Sequence, residues 1–159
     1  MKWNTKIALV LSLALFGPAI EAQADCHILR GAISETRIEA PNDPISRLLG
    51  VVTGTLSGAS TVVITSPPPN TTSLDIFLTN RGDTLIAVGF PTRTPIPGAP
   101  PGEFTVHVDL TITGGSGKFE GATGTMTFDG FSHAGGPGVG TTELVYRGSV
   151  CGQNLKAGE

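Results

Sequence analysis

Between Cys26 and Cys151 the chain is a succession of short runs rich in Val, Ile, Thr and Phe, each broken by a cluster of Gly, Pro, Asn or Ser. No long window in this stretch carries apolar residues at the 3.6-residue spacing of a helix. Runs of this kind read as strands and the clusters between them as turns. The pattern predicts strands at about Cys26–Ile38, Arg47–Leu56, Ser60–Ser66, Thr72–Thr79, Asp83–Phe90, Glu103–Thr113, Ala122–Phe131 and Thr141–Cys151. Asn80-Arg81-Gly82-Asp83 is a short glycine-containing hairpin connection. With no crossover long enough to hold a helix, neighbouring strands are expected to run antiparallel.

A single sheet of eight strands tends to curl, and closure removes its exposed edges. The cysteines fit closure. With an even number of strands, the start of the first lies beside the end of the last, which are the places of Cys26 and Cys151. The expected fold is therefore all-β, an eight-stranded antiparallel up-and-down β-barrel of calycin-like form. A two-sheet sandwich fits the strand count as well. An outer-membrane barrel also fits it, but the aromatic girdles of that class are missing from residues 25–159, which hold six Phe and one Tyr.

The first 24 residues read as a signal peptide. Lys2 and Lys6 precede the apolar run Ile7–Phe16, and Ala22 and Ala24 are the small residues before a cleavage site. Ten apolar residues are too few to span a bilayer as a helix. The other reading of this run is a hydrophobic first strand. Asp25 before Cys26 argues against a lipid-anchored cysteine, so the expectation is one soluble domain, 25–159, secreted or periplasmic. In such a compartment an even pair of cysteines reads as a disulfide, with two free thiols as the alternative. Cleavage takes Lys2, Lys6 and Glu21 from 10 basic and 13 acidic residues, leaving 8 against 12, a net of −4. No basic cluster is present, which disfavours nucleic acid and anionic membrane as partners.

The stretch "TITGGSGKFEGATG" invites a nucleotide reading, which fails on spacing. A P-loop needs Ser or Thr after Gly117-Lys118 and a glycine five residues before Gly117; the chain has Phe119 and Ile112. A dinucleotide fingerprint needs a third glycine at 120, which is Glu, and a helix beyond it. Ser116 lacks the final glycine of a nucleophile elbow. The remaining reading is a corner between two strands, with Gly114, Gly115, Gly117 and Gly121 turning the chain and Phe119 anchoring it over the barrel end.

These residues carry a resemblance. "GDTLIAVGF" (82–90) followed by "ITGGSGKFEGATGTMTF" (112–128) resembles the allene oxide cyclase barrel family, to which the dirigent proteins are structurally similar, in the manner of a secreted bacterial-type member. The resemblance covers about Gly82–Phe128; the earlier strands match only in number. It implies an eight-stranded barrel with an apolar cavity, assembly as trimers, and a small apolar or amphipathic ligand. It also implies cofactor-free cyclisation or isomerisation of that ligand. Rival roles are a non-catalytic, lipocalin-like carrier and a structural or interaction protein with a filled barrel, since a shared fold does not carry function across.

The family's polarising glutamate and asparagine are matched only by region, by Glu35 on the first strand and Glu39 and Asn42 in the loop after it. A buried Glu35 could stabilise a developing positive charge, although a strand carboxylate is ordinarily exposed. His107 and Asp109 share one face of a strand whose other face, Phe104 to Ile112, is apolar. They are candidates for an acid–base pair at the cavity mouth. The plainer expectation places the apolar row inside and this pair in solvent. His27 and His133 are isolated, and no ligand-like spacing predicts a metal site. Asn70-Thr71-Thr72 is a glycosylation sequon, and "PTRTPIPGAPP" reads as a stiff loop at one rim.

Overall fold

The computed structural model describes residues 25–38, 45–65, 71–136 and 139–155. The signal segment, Glu39, Asn42 and Asn70 lie outside them. The strands are β1 (Asp25–Arg37), β2 (Ser46–Gly54), β3 (Gly58–Ile64), β4 (Ser73–Thr79), β5 (Thr84–Pro95), β6 (Glu103–Ser116), β7 (Thr123–Gly136) and β8 (Val139–Gly152). Each pairs antiparallel with the next, and β8 pairs back onto β1, so the sheet is a closed up-and-down barrel and not a sandwich. Cys26 and Cys151 are direct partners in the β1–β8 register and are bonded, S–S 2.08 Å. No helix among the described residues is long and apolar enough to cross a membrane.

Alternation along the strands sends one row of each inward. Ile33, Val52, Phe77, Leu85, Leu110, Met126 and Phe128 are all buried, each worth roughly 1.5–3 kcal/mol on transfer from water. Phe77 and Phe128 meet edge to face at 6.0 Å, and Tyr146 continues the series at 6.3 Å from Phe128. The Tyr146 hydroxyl donates to the Thr53 carbonyl and accepts from the Leu56 amide, both at 2.9 Å, so its buried oxygen is satisfied.

The end of the barrel that carries the disulfide is shut. The glycine-rich corner holds one short 3-10 turn, Gly117–Phe119, with no helix after it. Gly117 and Gly121 sit at φ 62° and 67°, the left-handed region that glycine enters without steric cost. Phe119 is buried in the same cluster as Leu56, Ala122 and Leu155. Asp83, from the β4–β5 turn, accepts the Lys118 amide at 3.2 Å. A Cβ on Gly117 would stand 2.0 Å from that carboxylate oxygen.

Strands β5 to β8 all run further than the sequence predicts. β6 carries Gly114 and Gly115 in its ladder to Ser116, so the corner itself turns at Gly117 to Gly121 and not at the first two glycines. β5 continues past Phe90 to Pro95, so half of the expected rim loop is ladder. Ile96 donates to the Glu103 carbonyl across β6, and alternation by two then turns the nitrogens of Pro91 and Pro95 the other way. They face the edge vacated by β4, whose pairing with β5 ends at Ser73–Gly89, where a missing N–H costs nothing. β7 likewise continues past Phe131 to Gly136, against the start of β8.

Candidate functional site

The end opposite the disulfide contains what is unusual in this barrel. Glu35 and Asp75 both point inward and are both buried. β1 brings Glu35 to the inner wall two residues beyond Ile33, and β4 brings Asp75 there two residues before Phe77. Each carboxylate accepts a serine hydroxyl: Ser60 Oγ to Glu35 Oε1 at 2.8 Å, and Ser73 Oγ to Asp75 Oδ2 at 2.6 Å. Both acids line one cavity of about 40 Å³, together with Leu48, Val106, Phe128 and Leu144.

Small residues make room for the acids. Gly50 is the β2 partner of Glu35, and a Cβ there would stand 2.5 Å from Glu35 Cγ and 2.8 Å from Ser60 Oγ. Gly89 is the β5 partner of Ser73, and a Cβ there would stand 2.8 Å from Ser73 Oγ. Ala87 lies across from Asp75. Bare wall on the neighbouring strand therefore faces each acid–serine unit.

Burial dominates the electrostatics. Desolvation pushes the Asp75 carboxyl up to about 7 against the opposing Ser73 hydrogen bond, and the nearby Glu35 charge adds to the rise. Glu35 is raised as well, again by desolvation, with Ser60 pulling the other way. The Asp75 carboxyl thus stays partly protonated near neutral pH and able to donate, with the Glu35 carboxyl in the same cavity. Ser132, inward on β7 and paired with Thr142, adds a buried hydroxyl with no hydrogen-bond partner among the described residues.

Glu35, the first candidate from the sequence, is thus an interior residue and not the exposed one that its strand context suggests. His107 and Asp109 are placed differently. They stand on the outer wall, exposed, with Val106, Val108 and Leu110 filling the barrel behind them. The reading of the pair as a cavity-mouth acid and base is corrected accordingly: the apolar row of β6 takes the interior. His107 Nδ1 lies 2.7 Å from Asp129 Oδ1, and Nε2 lies 3.3 Å from Asp109 Oδ1. The Asp129 hydrogen bond raises the imidazole above its ordinary value. His133 pairs with Glu103 at 2.7 Å, and His27 lies at the shut end beside Lys118 and Asn154. No group of three His, Cys, Asp or Glu among the described residues could hold a metal ion.

Asp75 escaped the sequence reading for a definite reason. In "SLDIFLT" the row Leu74, Ile76, Leu78 looks like the buried face, yet Ser73, Asp75, Phe77 and Thr79 point inward while Leu74 and Leu78 are exposed. The signal present was Phe77, the largest side chain of the strand, on the same row as Asp75. Compared with family models, curated proteins and solved structures, the chain matches none of them, and the functional reading rests on this geometry and on the glycine-motif resemblance.

Proposed function

We propose that the end of the barrel opposite the disulfide takes the polar end of a small apolar or amphipathic molecule and carries out cofactor-free proton-transfer chemistry on it, an isomerisation or cyclisation. The observation that carries this reading is the pair of buried acids, each with a serine donor, in one cavity that Arg93 and Thr142 also line. Burying carboxyl groups costs stability, and a carboxyl raised by burial within a cavity is a candidate for a functional site.

The chemistry follows from the protonation states. Protonated Asp75 donates to a carbonyl or ether oxygen of the ligand, stabilising negative charge as it develops there. Glu35, when ionised, stabilises positive charge on the carbon skeleton or accepts a proton from it. The resemblance to the allene oxide cyclase barrels supports the same class of reaction. The disulfide is compatible with an oxidising extracellular or periplasmic compartment, and we propose export by the N-terminal segment.

A second reading, a barrel filled by its own side chains, is favoured by the cavity size. About 40 Å³ admits a few waters, whereas a whole drug-sized ligand needs roughly 300–1,000 Å³. Only the reactive end of a ligand then reaches the acids, and its body lies toward the rim. Native mass spectrometry of protein purified from its host separates the readings. A bound small molecule that is turned over by the parent protein, and bound but left unchanged by Glu35→Gln or Asp75→Asn, is the expected result. A ligand recovered unchanged from all three proteins indicates a carrier, and none recovered from any indicates a filled barrel.

A further inference from the structure

A groove of about 400 Å³ lies on the outer wall of β5–β7, lined by Thr92, Thr94, Thr105, His107, Asp129 and Phe131, with Val106 and Gly130 behind them. Val106, in the wall between the two, is the one lining residue that the groove shares with the acid cavity. The volume falls in the ordinary small-molecule range.

His107 and Asp129, two of the residues lining this largely apolar groove, belong to a hydrogen-bonded array whose other members, Asp109 and Arg147, lie outside the lining. His107 is clasped between Asp129 at 2.7 Å and Asp109 at 3.3 Å, and Arg147 Nη2 reaches the second Asp129 oxygen at 3.3 Å. The array joins two carboxylates to an imidazole and a guanidinium, so each ionisable member already has a hydrogen-bonding partner and little is left over for a free ion. It presents hydrogen-bond donors and acceptors, with the hydroxyls of three threonines beside them. At one side the Phe131 ring stands on the same outward row as Asp129, two residues on, and is well exposed at 59%. Its nearest charged neighbour across the ladder, Glu143, is occupied by Ser34 Oγ at 2.6 Å.

A ligand matched to this surface needs one apolar face to lie on an aromatic ring and a rim of neutral hydroxyls to meet carboxylate, guanidinium and threonine groups. A pyranose has both: axial C–H groups on its faces and hydroxyls around its edge. We infer that the β5–β7 outer wall is a binding site for a neutral saccharide, stacked on Phe131 and hydrogen-bonded by the Asp129–Arg147 pair and Thr92, Thr94 and Thr105. This site is independent of the acid cavity and of the reaction proposed there.

The test is a glycan array carrying neutral, sulfated and uronate-containing oligosaccharides, probed with the purified protein, with the strongest hit measured in solution by calorimetry. The expected result is a neutral oligosaccharide as the strongest hit. Phe131→Ala and Asp129→Ala should each weaken it at least tenfold, while Glu35→Gln leaves it unchanged. Phe131 is exposed and Asp129 half-buried, and an unaltered melting temperature shows that the variants remain folded. No binding to any glycan, a preference for sulfated or uronate sugars, or a neutral hit indifferent to Phe131→Ala would overturn the inference. So would an oligomer, seen by sedimentation, that dissolves on Phe131→Ala while no glycan binds, which would make the wall a protein interface.

Discussion

Asp75 is held where its charged form is costly, and that cost is measurable as a pH dependence of stability. Its carboxyl is raised from 3.8 to about 7, so between those values the folded protein binds more protons than the unfolded chain. Stability conferred on the protonated form is complete below about pH 4 and is lost as pH rises toward 7, by at most about 4 kcal/mol. Glu35 acts in the same direction. Urea unfolding should therefore give a higher midpoint at pH 5 than at pH 8, and the double variant Glu35→Gln/Asp75→Asn should remove most of the difference. His107 contributes in the same sense, but it is exposed and its share is small. Room for these acids is a residue-scale matter too. Gly50→Ala would drive a methyl group into Glu35 and Ser60, with an expected loss of about 1–3 kcal/mol of stability, read from the same urea midpoints.

At the scale of elements, the shut end depends on one corner. Phe119 is buried there, and truncation of a buried phenylalanine costs about 3–5 kcal/mol. Phe119→Ala should lower the melting temperature sharply, and Asp83→Ala, which removes the acceptor for the Lys118 amide, should lower it by a smaller amount. This corner was legible in the sequence, because glycine spacing excludes phosphate loops on geometric grounds and leaves one apolar side chain to be buried. The faces of β4 were not legible. Pattern rules assign the longer apolar row to the interior, but in a narrow barrel the row is fixed by register with the neighbouring strands, here Ser60 beside Phe77 and Val62 beside Asp75. Glu35 was legible as a candidate but not as an interior residue, for its burial depends on Gly50 in another strand. The prolines of β5 misled in a similar way: a proline ends a strand only where its nitrogen faces a partner.

For the whole molecule, the disulfide joins the first strand to the last across a separation of 125 residues. In the chain-entropy description, closing so long a loop stabilises the fold by roughly 5 kcal/mol. Cys26→Ser/Cys151→Ser should lose most of that in calorimetry while keeping the circular dichroism of a β-barrel, because the β1–β8 ladder covers twelve residue pairs. The closed barrel has two unlike ends, one filled by Phe119, Leu56, Ala122 and Leu155, the other holding the acids. The most direct check on that division is a carbon-13 NMR titration of the side-chain carboxyls in the intact protein. The Asp75 resonance is expected to titrate near 7, with Glu35 also above its ordinary value. Both carboxyls titrating below pH 5 would mean that water reaches them freely, and the buried acid site would not exist.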